Sequence, residues 1–326
     1  MDTTNAPADD RHLPVLLGTC VDLLVPSLQH DGSVYVDGTL GMAGHAVAVL
    51  DAAPRAHLVG IDRDAEALEL ARERLMRAGH GDRITLVHAT YDQIPAVLAD
   101  LGIPAADAVM MDLGLSSFQI DTRERGFAYA QDAPLDMRMD AGSDGPTAAD
   151  LLRDLSEQDL ARMLKELGDE RFARRIAQRI VAQRQISPIT RSGELVALLE
   201  AAIPAATRAS GGHPAKRTFQ ALRIAVNEEL EILTRALEGA LTSLALEGRL
   251  VVESYHSGED RLVKAALSRG TRSSAPADLP VELEEHRPRF ENLVRGALRA
   301  DDEEIARNAR SASVRLRAVR RVRPDI

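Results

Sequence analysis

The chain has 326 residues, with 50 acidic against 40 basic side chains and a formal net charge of −10. This length is enough for one large or two ordinary domains, and the single cysteine, Cys20, excludes a disulfide framework. No Cys/His spacing typical of a metal site occurs, no segment approaches the ~20 apolar residues of a membrane span, and the acidic N-terminal residues lack a signal-peptide pattern. We therefore predict a cytoplasmic protein with no metal and no membrane partner.

The first predicted element is a strand, turn and helix. A β-branched run at 34–36 leads into Asp37-Gly38-Thr39-Leu40-Gly41-Met42-Ala43-Gly44-His45 and then into an apolar segment. About twenty residues further on, Asp62 follows the apolar run 58–61. A glycine-rich turn followed by an acid at the next strand end is typical of a nucleoside-cofactor site, in which the acid binds a ribose hydroxyl. The alternative is that Asp62 only caps the following helix.

Short strands and helices alternate up to residue 111. Strands are predicted at 34–36, 58–61, 84–87 and 108–111, and a helix at 65–78 with Asp64 as its N-cap. This alternation predicts βαβ units and a parallel sheet. In such sheets ligands bind at the carboxyl ends of the strands, which here carry Asp37, Asp62, the 88–91 loop and Asp112.

A series of helices follows an irregular segment at 118–144. Helical patterns cover 151–155, 159–167, 169–185, 193–202 and 218–237, a strand pattern returns at 249–255, and a helix follows from 259. The pattern indicates an α/β sheet interrupted by a helical insertion. We predict a first core part at 1–124, an inserted helical substrate-recognition domain at 125–227, and a second core part at 228–326 that ends in an arginine-rich basic tail.

Motifs spread over nearly the whole chain carry a resemblance to a known family. They are HLPVLL at 12–17, DGTLGMAGH at 37–45, GIDRD at 60–64, DLGLSSFQ at 112–119, RGF at 125–127, PLDMRMD at 134–140, HPAKRTFQALRI at 213–224, SYHSGEDR at 254–261 and RSA at 310–312. With these motifs in this order, the chain resembles the bacterial 16S ribosomal RNA (cytosine-N4) methyltransferase family, which uses S-adenosylmethionine.

The resemblance implies a fold and a set of site residues. The fold is an α/β, class I (Rossmann-like) methyltransferase sheet with an inserted all-helical domain. The implied cofactor contacts are Ala43, Gly44, His45, Asp62, Tyr91, Asp112 and Gln119. The implied partner is 16S rRNA within the small ribosomal subunit, modified in the decoding region, and a homodimer is left open. Three places depart from the family pattern: Ala43 replaces a glycine, Tyr91 a phenylalanine, and Tyr255 and Gly258 a phenylalanine and a leucine.

The exocyclic amine of cytidine is a poor nucleophile because its lone pair is conjugated into the ring. A group that accepts a hydrogen bond from this amine would activate it, and Asp112, at the end of the fourth strand, is the candidate catalytic residue. Asp112 could instead bind the amino group of the cofactor, the role we favour, or merely cap its turn. Neither His45 nor His256 is assigned as a general base, since a lone histidine in a turn is more often structural.

For the RNA we select Lys216 and Arg217, which begin a helix after flexible glycines at 211–212, and the aromatic residues Phe127 and Tyr255. Phe118, Tyr129 and Phe219 are further stacking candidates, although each could belong to the core. Arg171, Arg175 and Arg179 recur every four residues, as a phosphate-binding stripe or as an ordinary solvated face.

Three other functions remain open on the residues alone. One is an amino-methyltransferase acting on DNA or on another substrate. The second is a nicotinamide-dependent dehydrogenase, which the incomplete G-x-G-x-x-G pattern disfavours. The third is a non-catalytic ribosome assembly factor that retains a cofactor fold.

Overall fold

The computed structural model describes residues 14–204, 213–276 and 283–324. Two sequence motifs therefore lie partly outside the described residues, at His12 and Leu13 and at the glycines 211–212. The chain forms two compact units: one comprises the chain up to Gly114 together with the chain from Leu230 onward, and the other is Leu115–Glu229. The second unit, 115–229, overlaps the insertion predicted at 125–227 and is called the inserted unit below.

The strands are β1 Val34–Asp37, β2 His57–Asp62, β3 Ile84–His88, β4 Ala106–Asp112, β5 Leu244–Ser254, β6 Phe290–Asn292 and β7 Arg315–Arg321. The helices of the first unit are α1 Leu17–Leu24, α2 Gly44–Ala52, α3 Ala65–Arg77 and α4 Ile94–Asp100, then α11 Glu229–Ser243, α12 Ser257–Gly270 and α13 Asp302–Arg307. Those of the inserted unit are α5 Ser117–Asp121, α6 Ala148–Asp154, α7 Glu157–Gly168, α8 Ala173–Arg184, α9 Ser192–Ala202 and α10 Lys216–Asn227.

The seven strands form one sheet in the order β3-β2-β1-β4-β5-β7-β6. The pairs from β3 through to β5 are parallel, whereas β7 runs antiparallel to both β5 and β6. The chain passes from β1 to its neighbours on both sides, which creates the switch point in strand order where α/β sheets bind ligands. This sheet confirms the predicted α/β fold class.

Strands β1, β2, β4 and β5 bury residues on both faces, as strands of a parallel sheet covered by helices do. One hydrophobic cluster contains Tyr35, Leu58, Ala108, Met110 and Val251. The other contains their chain neighbours Val36, Val59, Val109, Met111 and Val252. The two clusters fix the register of the strands, because a slip of one residue would exchange every side chain between the two faces. The carboxyl ends of β1, β2 and β4 are thereby held at one rim of the sheet.

The arginine-rich C-terminal segment, which the sequence indicated only as a basic tail, contains strand β7. Leu316 is fully buried in the core, and the intervening arginines reach outward to acids. Arg317 donates from Nε to Asp260 Oδ1 at 2.8 Å, and Arg315 donates from Nη1 to Asp260 Oδ2 at 3.0 Å. Part of the basic charge of this segment is therefore neutralised within the fold.

The inserted unit is helical, as predicted, with a core of its own that includes Leu160, Ile176 and Leu222. A capping box at Thr147 and Asp150 begins α6, since each side chain accepts from the backbone N–H of the other. The helical pattern at 218–237 is divided at Glu228, whose φ of 51° ends α10. Among the described residues, none of the helices has the length and apolar character needed to cross a membrane.

Candidate active site

The glycine-rich turn after β1 is fixed by its own backbone. Gly38 donates its N–H to Met110 O at 2.9 Å, and Leu40 donates to Ile61 O at 3.0 Å. Gly41 donates to Asp62 Oδ2 at 2.7 Å. The turn is therefore tied to both neighbouring strands, so that its remaining backbone groups are held in place at the rim before any ligand binds.

Ala43 lies at the N-cap of α2 with φ 60° and ψ 30°, in the left-handed region. A non-glycine residue there costs roughly 1 kcal/mol, and this is the position where the family pattern has glycine. Gly44 cannot be replaced so readily, since a Cβ at this position would lie 2.6 Å from Cγ of Pro14. Ala43 is fully buried, so of these two residues only Gly44 has exposed surface at the rim.

Asp62 is half-buried at the end of β2 and accepts two backbone hydrogen bonds. Its Oδ2 binds the N–H of Gly41, and its Oδ1 binds the N–H of Asp64 at 2.9 Å. Burial raises the pKa of Asp62 to about 6, against the effect of these donors. The helix cap that follows is Asp64, whose Oδ1 accepts from Glu66 N at 3.2 Å, so capping does not account for Asp62.

Asp37, in contrast, is enclosed. It is 2% exposed, its Oδ2 accepts from the Tyr35 hydroxyl at 3.1 Å, and its Oδ1 accepts from Thr39 N at 3.1 Å. Burial raises the pKa of Asp37 to about 6. Asp37 therefore stabilises the turn from inside the fold and offers little surface to a ligand.

Asp112 is the accessible acid at the end of β4. Its backbone N–H donates to Thr39 Oγ1 at 2.6 Å, and its side chain is 31% exposed. The hydroxyl of Tyr255 donates to Asp112 Oδ1 at 2.8 Å, and His45 Nδ1 lies 3.9 Å from Oδ2. Burial raises the pKa of Asp112, while His45 and Tyr255 favour its anion. The Asp112 carboxylate is thus fixed in place and can still accept a hydrogen bond from a ligand.

His45 contributes from inside the fold. It is 6% exposed, and its Nε2 lies 3.0 Å from the carbonyl oxygen of Val15, an acceptor that requires Nε2 to carry the hydrogen. This contact ties α2 to the segment before α1. His45 is thus an electrostatic neighbour of Asp112 and not an open surface for a ligand.

Tyr91 follows β3 and begins a short 3-10 turn at the same rim. Its side chain is half-buried, and its Cβ would lie 3.1 Å from a Cβ built on Gly38. The absence of a side chain at Gly38 therefore allows the Tyr91 loop to approach the turn after β1. Six of the seven residues predicted to bind the cofactor lie at the carboxyl ends of β1 to β4 or on the loops and helix starts that follow: Ala43, Gly44, His45, Asp62, Tyr91 and Asp112.

The seventh, Gln119, belongs to the inserted unit. It is 4% exposed and forms a capping box with Ser116 at the start of α5. Its Oε1 accepts the N–H of Ser116 at 3.2 Å, and its own N–H donates to Ser116 Oγ at 3.2 Å. In this structure its side chain organises the local turn.

The sequence candidates missed a second acid, Glu253 at the end of β5. The register pairs it with Asp112, and its side chain is fully buried. The thiol of Cys20 donates to Glu253 Oε1 at 3.5 Å, and His45 Nε2 lies 3.9 Å from Oε2. One potential metal-ligand atom from each of Cys20, His45 and Glu253 lies within 4.8 Å of the others. The only signal in the sequence is an acid that directly follows the apolar run Leu250-Val251-Val252.

The aromatic residues proposed for RNA stacking divide between core and surface. Phe127 and Phe219 are 8% and 4% exposed in the core of the inserted unit, so neither is open to a base in this structure. Tyr129 is half-buried and stacks on His213 with ring centroids 4.4 Å apart. The hydroxyl of Tyr255 is occupied by its hydrogen bond to Asp112.

The basic candidates of the inserted unit are at its surface. Lys216 and Arg217 are exposed at the start of α10, and Arg217 donates from Nη1 to the carbonyl of Asp169 at 2.9 Å, just after α7 ends. Arg175 and Arg179 are exposed on α8, beside its buried isoleucines, whereas Arg171 precedes that helix. Arg217 thus has a structural contact that Lys216 does not share.

The fold and this rim define a class of protein: a class I methyltransferase, with a glycine-rich turn after β1 and acids at the ends of β2 and β4. Residues 9–322 match the model of the MraW methylase family. The chain belongs to this family, which confirms the expectation drawn from its motifs.

Similar proteins cover nearly all of the chain. The ribosomal RNA small subunit methyltransferase H of Beutenbergia cavernae is 57% identical over 323 residues, which are 99% of this chain and 96% of the relative. The protein of the same name from a Nocardioides species is 59% identical over 310 residues, covering 95% and 96%. Among solved structures, an rRNA methylase from Streptococcus thermophilus aligns with a TM-score of 0.45 and 10% identity, over 96% of this chain and 99% of that one.

Proposed function

We propose that this protein transfers a methyl group from S-adenosylmethionine to the exocyclic N4 amine of a cytidine in 16S rRNA of the small ribosomal subunit, in the decoding region and in the cytoplasm. The observation that carries the proposal is the pair of carboxylates at the ends of β2 and β4, one on each side of the glycine-rich turn. Membership of the methylase family and the names of the relatives support it.

The rim fits the donor in chemical terms. Asp62 keeps acceptor capacity for a ribose diol beyond its two backbone contacts, and Asp112 suits an ammonium group. Tyr91 offers a ring for adenine, and the partly exposed backbone of Gly44 allows close approach. When bound, the cofactor supplies a methyl group activated by a sulfonium.

Asp112 would also act on the amine of the substrate. The ring withdraws electron density from the amine nitrogen. An anionic group that accepts a hydrogen bond from the N–H of this amine restores part of that density and makes the nitrogen a better nucleophile. The hydroxyl of Tyr255 keeps the Asp112 carboxylate in one orientation, which reduces the cost of arranging it during the reaction. The amine nitrogen loses one proton on methylation, and Asp112 would accept it.

The direct test uses purified protein, S-adenosylmethionine with a labelled methyl group, and small ribosomal subunits from a strain that lacks the enzyme. We expect label in 16S rRNA, recovered as N4-methylcytidine on nucleoside analysis. Label only in DNA would support the other amino-methyltransferase. Subunit binding without any methyl transfer would support an assembly factor, and binding of NAD in place of S-adenosylhomocysteine would support a dehydrogenase.

Replacing Asp62 by alanine is expected to weaken S-adenosylhomocysteine binding about 10- to 100-fold, because a hydrogen bond to a charged group contributes roughly 1.5–3 kcal/mol. The pH dependence has a defined sign. Since the pKa of Asp62 is raised to about 6, the anion is lost as pH falls through that value and wild-type affinity should fall with it. Isothermal titration calorimetry across this range measures both effects.

The matched control for Asp62→Ala is Asp107→Ala. Asp107 also accepts a backbone hydrogen bond, from Val34 N at 2.8 Å, but it lies near the start of β4, at the opposite end of the strand from Asp112. Its replacement should leave the affinity at its wild-type value. Equal losses in the two variants would mean that loosening the sheet, and not the loss of a ribose contact, weakens binding.

Charge reversal at Lys216 is expected to weaken rRNA binding and to flatten its salt dependence. Each cation that contacts a phosphate releases a counterion, so loss of one contact lowers the slope of log K against log salt by roughly one. Filter-binding titrations of 16S rRNA fragments at several salt concentrations measure the slope. Lys216 is preferred to Arg217 because Arg217 also supports the end of α7.

Glu231→Lys serves as the opposite control, since it adds an exposed charge on α11 within the first unit. A slope unchanged by Lys216→Glu would remove Lys216 from the RNA interface. A slope raised by Glu231→Lys as much as Lys216→Glu lowers it would show that the assay reports only overall charge.

A further inference from the structure

Glu253 is a buried acid for which the proposed reaction has no use. Its side chain is fully buried, and its Oε2 has no hydrogen-bond partner among the described residues. Across 14–204, 213–276 and 283–324, no lysine or arginine lies within ion-pair distance of it. A buried carboxylate without a cation is costly, so the group is expected to retain its proton.

Its neighbours come from every element packed around it. Cys20 comes from α1, His45 from α2 and Asp112 from β4, and Glu304 of α13 adds a more distant negative charge. The negative charge of Asp37, on β1, also raises the pKa of the Cys20 thiol. Burial, first of all, and the negative charge of Asp112 raise the pKa of Glu253 well above its usual range.

The two strand-end carboxyls lie on neighbouring strands. The register pairs Asp112 with Glu253, so both side chains leave the same face of the sheet, and two such acids at a buried place favour sharing one proton. Asp112 is 31% exposed and receives the Tyr255 hydroxyl, whereas Glu253 is 0% exposed. Asp112 is better placed to be the anion, which leaves the proton on Glu253.

We propose that Glu253 is a positioning residue whose carboxylic acid donates a hydrogen bond to Asp112 and holds it as the anionic acceptor of the active site. Together with Tyr255, it fixes the Asp112 carboxylate from within the sheet. The inference rests on the proposed function in one respect only, the role of Asp112 in methyl transfer.

A metal ion bound by Cys20, His45 and Glu253 is the competing explanation. The atoms are close enough, within 4.8 Å of one another. However, His45 Nε2, the nitrogen 3.9 Å from Glu253 Oε2, carries its hydrogen toward the carbonyl of Val15 and has no lone pair to offer. Burial and nearby acids also raise the pKa of the Cys20 thiol, so it favours the protonated form that donates to Glu253. The hydrogen-bonded acid accounts for all three side chains.

The first experiment locates the proton and needs neither cofactor nor RNA. Infrared spectra of the full-length protein at neutral pH should show the C=O stretch of a buried carboxylic acid. The band should be absent in Glu253→Gln and present in Asp112→Asn. A band that survives in Glu253→Gln and disappears in Asp112→Asn would place the proton on Asp112 and overturn the proposal. So would a stoichiometric metal ion in the purified wild type that is missing from Glu253→Gln.

The second experiment measures the pH profile of methyl transfer. Glu253→Leu removes the donor and should shift the acid limb of kcat to higher pH by about one unit, since the Asp112 anion loses a hydrogen bond. Glu253→Gln keeps an N–H donor and should restore most of the wild-type profile. An unshifted limb in a folded Glu253→Leu protein would overturn the proposal. If the wild type transfers no methyl group, the proposed function fails, while the infrared result still decides the position of the proton.

Discussion

Replacing Asp112 by asparagine is expected to lower the rate of methyl transfer by about 100- to 10,000-fold, the range typical of losing a positioned acid–base group. The amide keeps the size of the side chain, and its oxygen can still accept from Tyr255. The variant loses the negative charge that accepts a hydrogen bond from the substrate amine. Initial rates with labelled donor and small subunits give kcat, and calorimetry with S-adenosylhomocysteine gives cofactor affinity.

The comparison of these two losses decides between the two roles of Asp112. A loss in kcat much larger than the loss in affinity assigns Asp112 to the amine. Equal losses in both assign it to cofactor binding alone. Tyr255→Phe is the graded control, since it removes one donor to Asp112 and restores the residue commoner in the family. A loss of only about 3- to 10-fold is expected there.

The sequence was informative where one strand carries its own evidence. In β1, β2 and β4 an apolar run ends in an acid, and a parallel sheet brings such ends together whatever the details of packing. The predicted strands at 34–36, 58–61, 84–87 and 108–111 therefore lie inside the observed strands. The resemblance to the methyltransferase family adds the residue assignments, which local pattern alone does not supply.

The sequence was silent where the evidence lies between strands. Strand β7 has arginine at four of its seven positions, and its buried face becomes evident only once β5 and β6 flank it. Glu253 stands 233 residues from Cys20 in the chain, and only the sheet register brings it beside Asp112. The side chain of Phe127 shows the reverse error: an aromatic residue in a motif can equally belong to the core, as this one does.

Gly126→Ala is expected to destabilise the inserted unit by about 3–5 kcal/mol, near the upper limit for a single substitution. Gly126 has φ 73°, and a Cβ at this position would lie 2.1 Å from the backbone oxygen of Pro134. The backbone cannot yield easily there, because Met137 N donates to Arg125 O at 2.9 Å and holds the two segments together. Hydrogen exchange within 123–139, with a urea titration followed by circular dichroism, measures the loss.

Gly102→Ala separates the two causes of this effect. Gly102 has a similar φ of 69°, yet a Cβ there would meet nothing within 4 Å. Gly102→Ala should lower the free energy of unfolding only by the strain of a left-handed backbone at a non-glycine residue, roughly 1–2 kcal/mol. The difference between the two variants then measures the steric conflict at Gly126. Equal losses would mean that the 125–137 segment moves aside freely, and that the close approach to Pro134 does not constrain the start of the inserted unit.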